Sequence, residues 1–414
     1  MLFDADIVVV GGGMAGFAAA MSAVQEGKKV TLVEKSNKLG GNATNSNVGT
    51  ICGAYYRTFN ETPALVGYKF CKDFISALLA DKSKLINYHN GLYVVSYEWL
   101  ALGDYIEQQL IKTGVQRLKN AEITEVKKNG DVISQITIQY ENQSIVLNPK
   151  NIIDCSGNGV VSQLAGLEMI SSSSYQAASQ VFRVKNIVSD NEFSLNMALK
   201  KAMMLLVGKY NWPKSFIALS VIPGSLMDNR VDLKITLPDA ITDDTELNKQ
   251  IAIKGKAYIN EICPLLIKEI GSLKKAELEL VFPEIGIRIQ QRSKGKQVLT
   301  EDDVLACYKP KDGIAIGAWP IEEWGTDGRL TMEYFKEDDS YLIPAGCLQS
   351  NSVTNLYFAG KNISATTKAI ASARVIGICL QTGYAAGKLA SCNSETEKEK
   401  MILSLHKELV SGNG

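Results

Sequence analysis

The sequence predicts a three-layer α/β protein in which a parallel sheet and a β-meander form one domain, with a mixed α+β domain inserted into it. Three observations lead to this fold. The chain opens on an apolar strand, a glycine turn and a helix; a second apolar strand ends in a small-residue turn in the middle; a third does so near the C-terminus. Strand–turn–helix units of this kind are typical of parallel sheets.

The first unit has the element order of a dinucleotide-binding β-α-β motif. A strand over Ile7–Val10 runs into a glycine turn, and a helix extends from Met14 to about Glu26. A second strand, Val30–Val33, is closed by the acid Glu34. The two strands, the helix and the acid occur in the order that a Rossmann-like site requires. We therefore interpret the glycine turn as a cofactor site rather than a turn that serves packing alone.

Each part of this motif has a physical role. Gly11 permits the tight turn, Gly13 lets the backbone approach a pyrophosphate, and Gly16 lets helix and strand pack closely. The helix N-terminus presents free N–H groups and the positive end of its dipole to phosphates. An acid about 20 residues later accepts hydrogen bonds from ribose hydroxyls, which is the role predicted for Glu34.

Further turns distinguish a flavin from a nicotinamide cofactor. Gly40 and Gly41 form a second flexible turn soon after Glu34, which a flavin domain uses to run the backbone along the pyrophosphate and ribityl chain. The middle strand ends in Asp154-Cys-Ser-Gly-Asn-Gly159. The strand near the C-terminus ends in Ala359-Gly360 and is followed by a helical stretch through Ala390.

Together these segments resemble the FAD-dependent oxidoreductases related to glutathione-reductase-like and fumarate-reductase-like flavoproteins. More narrowly, the chain resembles the bacterial family named simply FAD-dependent oxidoreductase. Asp154–Gly159 is similar to that family's Asp-Ala-Thr-Gly-Asp-Gly, and Asn355–Lys361 to its Asn-Leu-Leu-Val-Ala-Gly-Arg. The further matches are Arg374-Val375, Gly383-Tyr-Ala-Ala-Gly387, Gly286–Arg292 and Leu299–Val304, so the resemblance spans nearly the whole chain.

This sequence departs from the family pattern at Lys361, Ile289, Gln291, Glu322 and Trp324. Most of these positions fall in the expected substrate region, so the resemblance transfers the cofactor more securely than the chemistry. The resemblance implies FAD as the cofactor. Because no histidine lies between residues 35 and 60 to form a covalent flavin link, we expect the FAD to be held non-covalently. The cofactor residues implied by the motifs and the resemblance are Gly11, Gly13, Met14, Ala15, Gly16, Glu34, Lys35, Gly40, Gly41, Asn42, Thr44, Ile123, Ser156, Gly157, Gly360, Lys361 and Asn362.

Four side chains are candidates for catalysis. Arg288 and Arg292 share a face if their segment is helical, and two guanidinium groups facing a flavin would bind a carboxylate or stabilise charge on a reduced ring. The alternative is a pair of solvent-exposed basic residues. Arg374 either supports a helix N-terminus that faces the flavin or forms a structural salt bridge. Cys52 is a redox thiol or attachment point, or else an inert small residue.

Composition excludes several classes of function. Lys+Arg and Asp+Glu number 44 each, so the chain lacks the basic field that favours nucleic acid or anionic membranes. Only two histidines and eight cysteines without a C-x-x-C pair are present, which argues against a metal site and a redox dithiol. No apolar run is long enough to span a membrane. Because the Met1 segment leads directly into the Ile7–Val10 strand, we expect no signal peptide and a cytoplasmic location.

The chain is long enough for two domains. We predict a discontinuous FAD-binding domain over 1–170 and 340–414, and a substrate or cap domain over 171–339. Residues 61–100 are interpreted as helices beside the active-site mouth. In the cap domain we expect helices over Ser189–Leu206, capped by Ser189 with Glu192, and over Thr245–Gly271, and an extended segment over Ser215–Ile222.

These features predict an FAD-dependent oxidoreductase that adds or removes two electrons on a small organic molecule by hydride transfer at flavin N5, with an anionic substrate group as one option. Two alternatives stay open. One is a flavin monooxygenase that uses O₂ and an external reductant. The other is a flavoprotein that acts on a partner protein or peptide. The sequence also leaves a homo-oligomer open.

Overall fold

The structure is a computed structural model and describes residues 5–411. Positions 1–4 of the Met1 segment, for which we expected no signal peptide, lie outside the described residues. The helices are α1 Met14–Gln25, α2 Lys69–Leu79, α3 Trp99–Lys112, α4 Val160–Leu164, α5 Glu192–Tyr210, α6 Thr245–Glu269, α7 Glu301–Leu305, α8 Thr367–Ala373, α9 Ile376–Ala390 and α10 Glu395–Ser411. The strands are β1 Ile7–Val10, β2 Val30–Glu34, β3 Thr50–Ile51, β4 Leu85–His89, β5 Leu92–Ser96, β6 Gln116–Lys119, β7 Glu122–Asn129, β8 Val132–Tyr140, β9 Gln143–Leu147, β10 Asn151–Asp154, β11 Met169–Ile170, β12 Ala177–Lys185, β13 Ser220–Val221, β14 Arg230–Ala240, β15 Glu277–Val281, β16 Arg292–Ser293, β17 Gly313–Gly317, β18 Ile321–Trp324, β19 Leu330–Glu333, β20 Tyr341–Pro344 and β21 Leu356–Phe358.

A parallel sheet in the order β21-β10-β1-β2-β6 forms the centre of the molecule. Its inner strands β1 and β2 are buried along their whole length, as continuous apolar runs in parallel sheets are. Because every neighbouring pair is parallel, all five strands end at one edge. That edge gathers Gly11 after β1, Glu34 at the end of β2, Asp154 at the end of β10 and Gly360 after β21. The predicted Rossmann-like α/β fold is confirmed.

Alternate side chains of β1 pack against two different layers. Ile7 and Val9 belong to a core that includes α1 and α9, whereas Val8 and Val10 pack with the β7-β8-β9 meander. The predicted hairpin turn joins β7 to β8, with Gly130 at φ +63°. The two helices approach closely, since a Cβ on Gly383 of α9 would lie 2.1 Å from the Ala15 oxygen of α1. The central sheet is therefore held between a helical layer and a β-layer.

A second sheet, with antiparallel order β13-β14-β12-β15, lies in the middle of the chain. Helix α6 packs on β12 and β14, and α5 packs on α6. The predicted helix over Thr245–Gly271 is confirmed as α6, and the one over Ser189–Leu206 corresponds to α5. The proposed domain division at residues 170/171 and 339/340 stays a prediction.

Two stretches differ from the predicted secondary structure. Residues 61–100 contain the helix α2, the hairpin β4–β5 and the first two residues of α3, rather than helices throughout. The sequence contained a signal for this hairpin, namely the Asn90-Gly91 pair and the adjacent valines of β5. Both Asn90 and Gly91 adopt positive φ at the turn. The predicted extended segment over Ser215–Ile222 is a 3₁₀ turn followed by the two-residue strand β13.

The predicted capping box at the start of α5 is also wrong. Asn191 caps this helix, and its Oδ1 accepts from Ser194 N at 2.8 Å. Glu192 instead accepts from the backbone N–H groups of Gly224 and Leu226, both at 3.0 Å. An asparagine directly before the helix therefore replaced the more distant Ser189 as the cap.

Candidate functional site

A large cavity opens at the carboxyl edge of the central sheet and extends to the second sheet. Its wall at the central sheet contains most of the predicted cofactor residues: Gly11, Gly13, Met14, Ala15, Glu34, Lys35, Gly40, Gly41, Asn42, Ser156, Gly157, Gly360 and Lys361. We call this part the nucleotide end. Its opposite wall contains Lys234, Arg288, Trp319, Glu322, Trp324 and Arg374, and we call it the substrate end.

The three glycines of the first turn have different structural requirements. Gly11 has φ +96°, and a Cβ there would lie 2.5 Å from the Cys155 oxygen. A Cβ on Gly16 would lie 1.8 Å from the Gly11 oxygen. Gly13 has φ −70°, and its Cβ would meet only the Gly41 Cα, at 3.9 Å. The fold therefore needs glycine at 11 and 16. At 13 a side chain would only narrow the cavity, so the absence of a side chain there is what lets a pyrophosphate approach closely.

The start of α1 is left open for a ligand. Gly13 occupies the N-cap without a side-chain hydrogen bond, and the first turn contains no acid. Met14 and Ala15, the first two helical residues, line the cavity. Beside them, the Glu34 carboxylate accepts from Gly12 N at 2.6 Å and Ser36 N at 2.8 Å, which fixes its position in the cavity wall. A helix N-terminus next to an anchored acid fits a phosphate group and a ribose.

Four predicted cofactor residues do not line the cavity. Gly16 packs against the Gly11 oxygen, and Ile123 lies in β7 of the meander, in the core with Val8 and Val10 of β1. Thr44 Oγ1 donates to the Leu39 oxygen at 2.6 Å. Asn362 accepts from Ser293 N at 2.9 Å and donates to the Asp154 oxygen at 3.3 Å. These side chains support the loops that line the cavity.

Lys361, which replaces the arginine typical of the family, closes the nucleotide end. Its Nζ donates to the Ile287 oxygen at 2.8 Å. A Cβ on Gly157 would lie 2.9 Å from the Lys361 Cε, so the Ser156-Gly157 turn packs directly on this side chain. Burial lowers the pKa of Lys361 to about 8.

Two cations lie over one indole ring at the substrate end. The Arg288 guanidinium carbon is 4.9 Å and the Lys234 Nζ is 5.2 Å from the centroid of Trp324. Burial, together with Arg374, lowers the pKa of Arg288 to about 9. Burial, together with Arg288, lowers the pKa of Lys234 to about 8. Both cations are thus held in a place that disfavours their charge.

Glu322 is the acid at the centre of this group. Its carboxylate accepts from the indole N–H of Trp319 at 2.8 Å and from that of Trp324 at 2.5 Å. Burial alone would raise the pKa of Glu322, but the Arg374 charge and the two indole N–H groups outweigh it and hold the pKa below its usual value. Glu322 is therefore a fixed negative charge in the cavity wall.

Arg374 is brought to the site by a break in the chain. The predicted single helical stretch before Ala390 is two helices, and Arg374 ends α8 directly before Val375 caps α9. Arg374 Nη2 donates to the Glu322 main-chain oxygen at 3.1 Å and lies 3.9 Å from its Oε1. Its buried Nε has no hydrogen-bond partner among the described residues. Arg374 thus forms the structural ion pair that was one expectation, and the residue also lines the cavity.

The other two catalytic candidates differ in position. Cys52 lines the cavity, and burial, together with Glu322, raises the pKa of its thiol to about 12. Arg292 is fully buried and is not part of the cavity lining. It donates to the oxygens of Ala365 and Gln290 and to Thr367 Oγ1. The idea that Arg288 and Arg292 share a helical face is wrong, because this segment is irregular and Arg292 belongs to β16.

Sequence reasoning missed Lys234 and Trp319. Lys234 lies in β14 within Val231-Asp-Leu-Lys-Ile-Thr-Leu237, and a lysine inside such an apolar strand is a signal that was available. Trp319 lies in a loop after β17 and carried no such signal.

Over residues 5–411, no helix has the length and apolar character to cross a membrane. No cluster of three or more potential metal ligands occurs in that range either.

Comparisons with known proteins relate the chain to flavoenzymes. A 56% identity over 48 residues links the chain to dihydrolipoamide dehydrogenase of Chaetomium thermophilum, covering 12% of this chain and 9% of that protein. NADH:acrylate oxidoreductase of Vibrio harveyi is 44% identical over 64 residues, which is 16% of this chain and 6% of that protein. The chain thus spans only a small part of these curated relatives.

Among solved structures, the flavin-dependent halogenase CmlS has the same fold, with a TM-score of 0.51 and 10% identity over all of this chain and 63% of that one. The family model described as FAD dependent oxidoreductase matches residues 6–406. The protein is therefore an FAD-dependent enzyme, as the resemblance in its motifs indicated. With nearly its whole length matched, the chain belongs to the FAD dependent oxidoreductase family.

Proposed function

We propose that the protein catalyses a two-electron oxidation or reduction of a small organic molecule that carries an anionic group. The observation that carries this proposal is the charge of the substrate end. Lys234, Arg288 and Arg374 line it together with a single acid, Glu322. Buried cations in excess over buried acids favour an anion, because an anion compensates the charge that burial disfavours.

The hydrogen-bonding groups support the same conclusion. Arg374 Nε is a buried donor without an acceptor in the described part of the chain. Lys234 Nζ contacts the Trp324 ring but has no hydrogen-bond acceptor within residues 5–411. Charge-assisted hydrogen bonds from guanidinium and ammonium groups to a carboxylate are short and strong. An anionic substrate group would supply the acceptor that Lys234 Nζ lacks, whereas Arg374 Nε has no accessible surface through which to reach such a group.

FAD, when bound, supplies the two-electron chemistry at its N5 position. The residues of the chain have three tasks around it. Arg288 and Arg374 orient the anionic group. The two tryptophans hold Glu322 as a fixed carboxylate and exclude water beside it. Lys234, whose pKa of about 8 lies near neutrality, holds or releases a proton at Nζ.

Anaerobic titration of the FAD-loaded protein tests this proposal. Organic acids are compared with their neutral amides, in both directions: bleaching of the oxidised flavin and reoxidation of the reduced flavin. We expect an acid to change the flavin spectrum where its amide does not. Arg288→Met should weaken the response, and Arg288→Lys, which keeps the charge, serves as the matched control.

Three results would contradict the proposal. Equal responses to acids and amides would remove the anionic substrate. Reduction by NAD(P)H alone, followed by an oxygenated product, would favour the monooxygenase. Reduction only by a protein partner would favour the third alternative. The predicted cytoplasmic location and homo-oligomer are independent of these outcomes and stay predictions.

A further inference from the structure

Helix α5 has apolar residues on both its inner and its outer side. Leu195, Leu199, Met203 and Leu206 are buried against the second sheet and its helices. On the other side Phe193 is 75% exposed, Met204 58% and Met197 55%. A helix that is apolar all round is normally buried all round. The outer side of α5 therefore lacks the covering that its composition calls for.

The exposed apolar residues form one row. At 100° per residue, Phe193, Met197 and Met204 fall within about 40° of one another around the helix axis. The row is about 17 Å long at 1.5 Å per residue. Val188 before the helix is exposed as well, and so is Leu205, which lies about 80° beyond Met197 around the helix axis, on the far side of Lys201. We call Val188, Phe193, Met197, Met204 and Leu205 the α5 outer face. Several large exposed apolar side chains on one side of a single helix favour an interaction surface over the isolated exposed residues that are normal in proteins.

The exposed charges on the helix beside this face are lysines, whereas the exposed acid Asp190 lies just before the helix, between Val188 and Phe193. By the same helical geometry Lys200 lies about 20° to one side of Phe193 and Lys201 about 80° to the other, so the two lysines flank the row. Lys209 is a third exposed lysine on the helix. The only acid in the α5 sequence, Glu192, has its carboxylate bound to the Gly224 and Leu226 N–H groups. The exposed surface of α5 is thus apolar and cationic, although the whole chain has as many acidic as basic residues.

We propose that the α5 outer face is a peripheral membrane-binding surface for bilayers that contain anionic lipid. Aromatic and aliphatic side chains enter the boundary between headgroups and acyl chains, and flanking lysines pair with anionic headgroups. Methionine side chains adapt to an irregular apolar environment. A second copy of the chain fits less well, since a two-fold contact through this face would bring the lysines of both copies together.

This surface is connected to the active-site cavity. Glu192, in the first turn of α5, holds the turn that contains Gly224 and Leu226. Ile222 and Pro223, directly before that turn, line the cavity. The membrane-binding helix is therefore attached to one wall of the catalytic site. This inference does not depend on the proposed anionic substrate.

Vesicle flotation of the full-length, FAD-loaded protein tests the inference. The vesicles are phosphatidylcholine alone and an equal mixture of phosphatidylcholine and phosphatidylglycerol. We expect the protein to float with the mixed vesicles and to be released by added salt. The double variant Lys200→Glu/Lys201→Glu should bind at least roughly tenfold more weakly, and Phe193→Ser/Met197→Ser should abolish binding.

The matched control is Ile253→Ser/Leu403→Ser, which changes two equally exposed apolar residues on α6 and α10. It should float like the wild type, and all variants should keep the flavin spectrum because only exposed side chains change. Three results would overturn the inference: a wild type that does not float, a control that loses binding as much as the α5 variants, or α5 variants that convert a dimer into a monomer. The last would identify a second copy as the occupant.

Discussion

The two ends of the cavity are built in different ways. The nucleotide end consists of backbone turns that follow the strands of one parallel sheet, with Gly11, Gly13 and Gly360 at its edge. The substrate end consists of side chains from distant segments, among them Lys234 on β14 and Glu322 on β18. Backbone turns have the same shape whichever substrate is used. Side chains at the substrate end can differ between proteins of one fold, so the reaction can change there while the cofactor site stays the same.

The largest effect that distinguishes the two ends is expected at Gly13. Gly13→Val should give a folded but colourless protein, because the fold tolerates a Cβ there while the side chain enters the pyrophosphate path. Overpacking of about 1–3 kcal/mol against the ligand weakens FAD binding by roughly tenfold to a hundredfold. Visible absorbance and thermal unfolding of the purified protein measure both properties.

Two further glycines serve as controls for this variant. Gly208→Val, in open surroundings on α5, should keep its FAD. Gly16→Val should fail to fold, because its Cβ would lie within 1.8 Å of the Gly11 oxygen. A yellow Gly13→Val protein at full occupancy would show that the phosphates do not lie on this turn.

Variants of Arg292 and Arg288 test which of the two arginines belongs to the substrate end of the cavity. Arg292→Ala leaves three acceptors without a buried donor and should cost about 3 kcal/mol of folding free energy or more. Arg288→Met leaves one acceptor, the Ala177 oxygen, without this donor but removes a charge that burial disfavours, so it should cost less stability than Arg292→Ala and should lose substrate response instead. Urea unfolding combined with flavin titration separates the two effects. If Arg292→Ala kept its stability but not its turnover, the assignment to the scaffold would be wrong.

The same contrast explains what the sequence predicts well. The nucleotide end follows from local spacing, because a strand, a glycine turn and a helix fix each other's geometry within a few residues. The substrate end depends on which distant segments meet. Arg288 and Arg292 looked equivalent in sequence, yet one lines the cavity and the other is buried beneath α8. Trp319 had no local pattern, and its role became visible only through its hydrogen bond to Glu322.

Glu322→Gln probes the fixed charge at the substrate end. A glutamine side chain accepts through only one oxygen, so one indole N–H loses its partner, and we expect a loss of about 1–3 kcal/mol of folding free energy. The pKa of Glu322 lies below its usual 4.5 in the folded protein, so its ionic contribution is present above that pH and is lost as pH falls through the folded pKa. The stability difference between variant and wild type should therefore shrink in acid. A difference that grew on acidification would contradict the assigned charge.

Lys234 and Lys361 form a matched pair, one at each end of the cavity and each with a pKa of about 8. If Lys234 helps to bind an anion, wild-type affinity for acetate, followed by perturbation of the flavin spectrum, should fall as pH rises above 8. Lys234→Met should bind acetate roughly tenfold more weakly with a flatter pH profile. Lys361→Met should instead reduce FAD retention. Identical acetate profiles for the two variants would remove the functional distinction between the ends.

Cys52 should give the smallest effect, although its side chain lies in the same wall as Lys234 and Glu322. With its thiol pKa raised to about 12, Cys52 is a protonated thiol near neutral pH, and the thiolate is the reactive form. Cys52→Ala should therefore leave flavin reduction unchanged, and iodoacetamide should react slowly with the wild-type site. FAD should leave both proteins on denaturation. Flavin that stayed attached to wild type but not to Cys52→Ala would show that a substrate-end side chain takes part in holding the cofactor, and the separation of the cavity into two independent ends would fail.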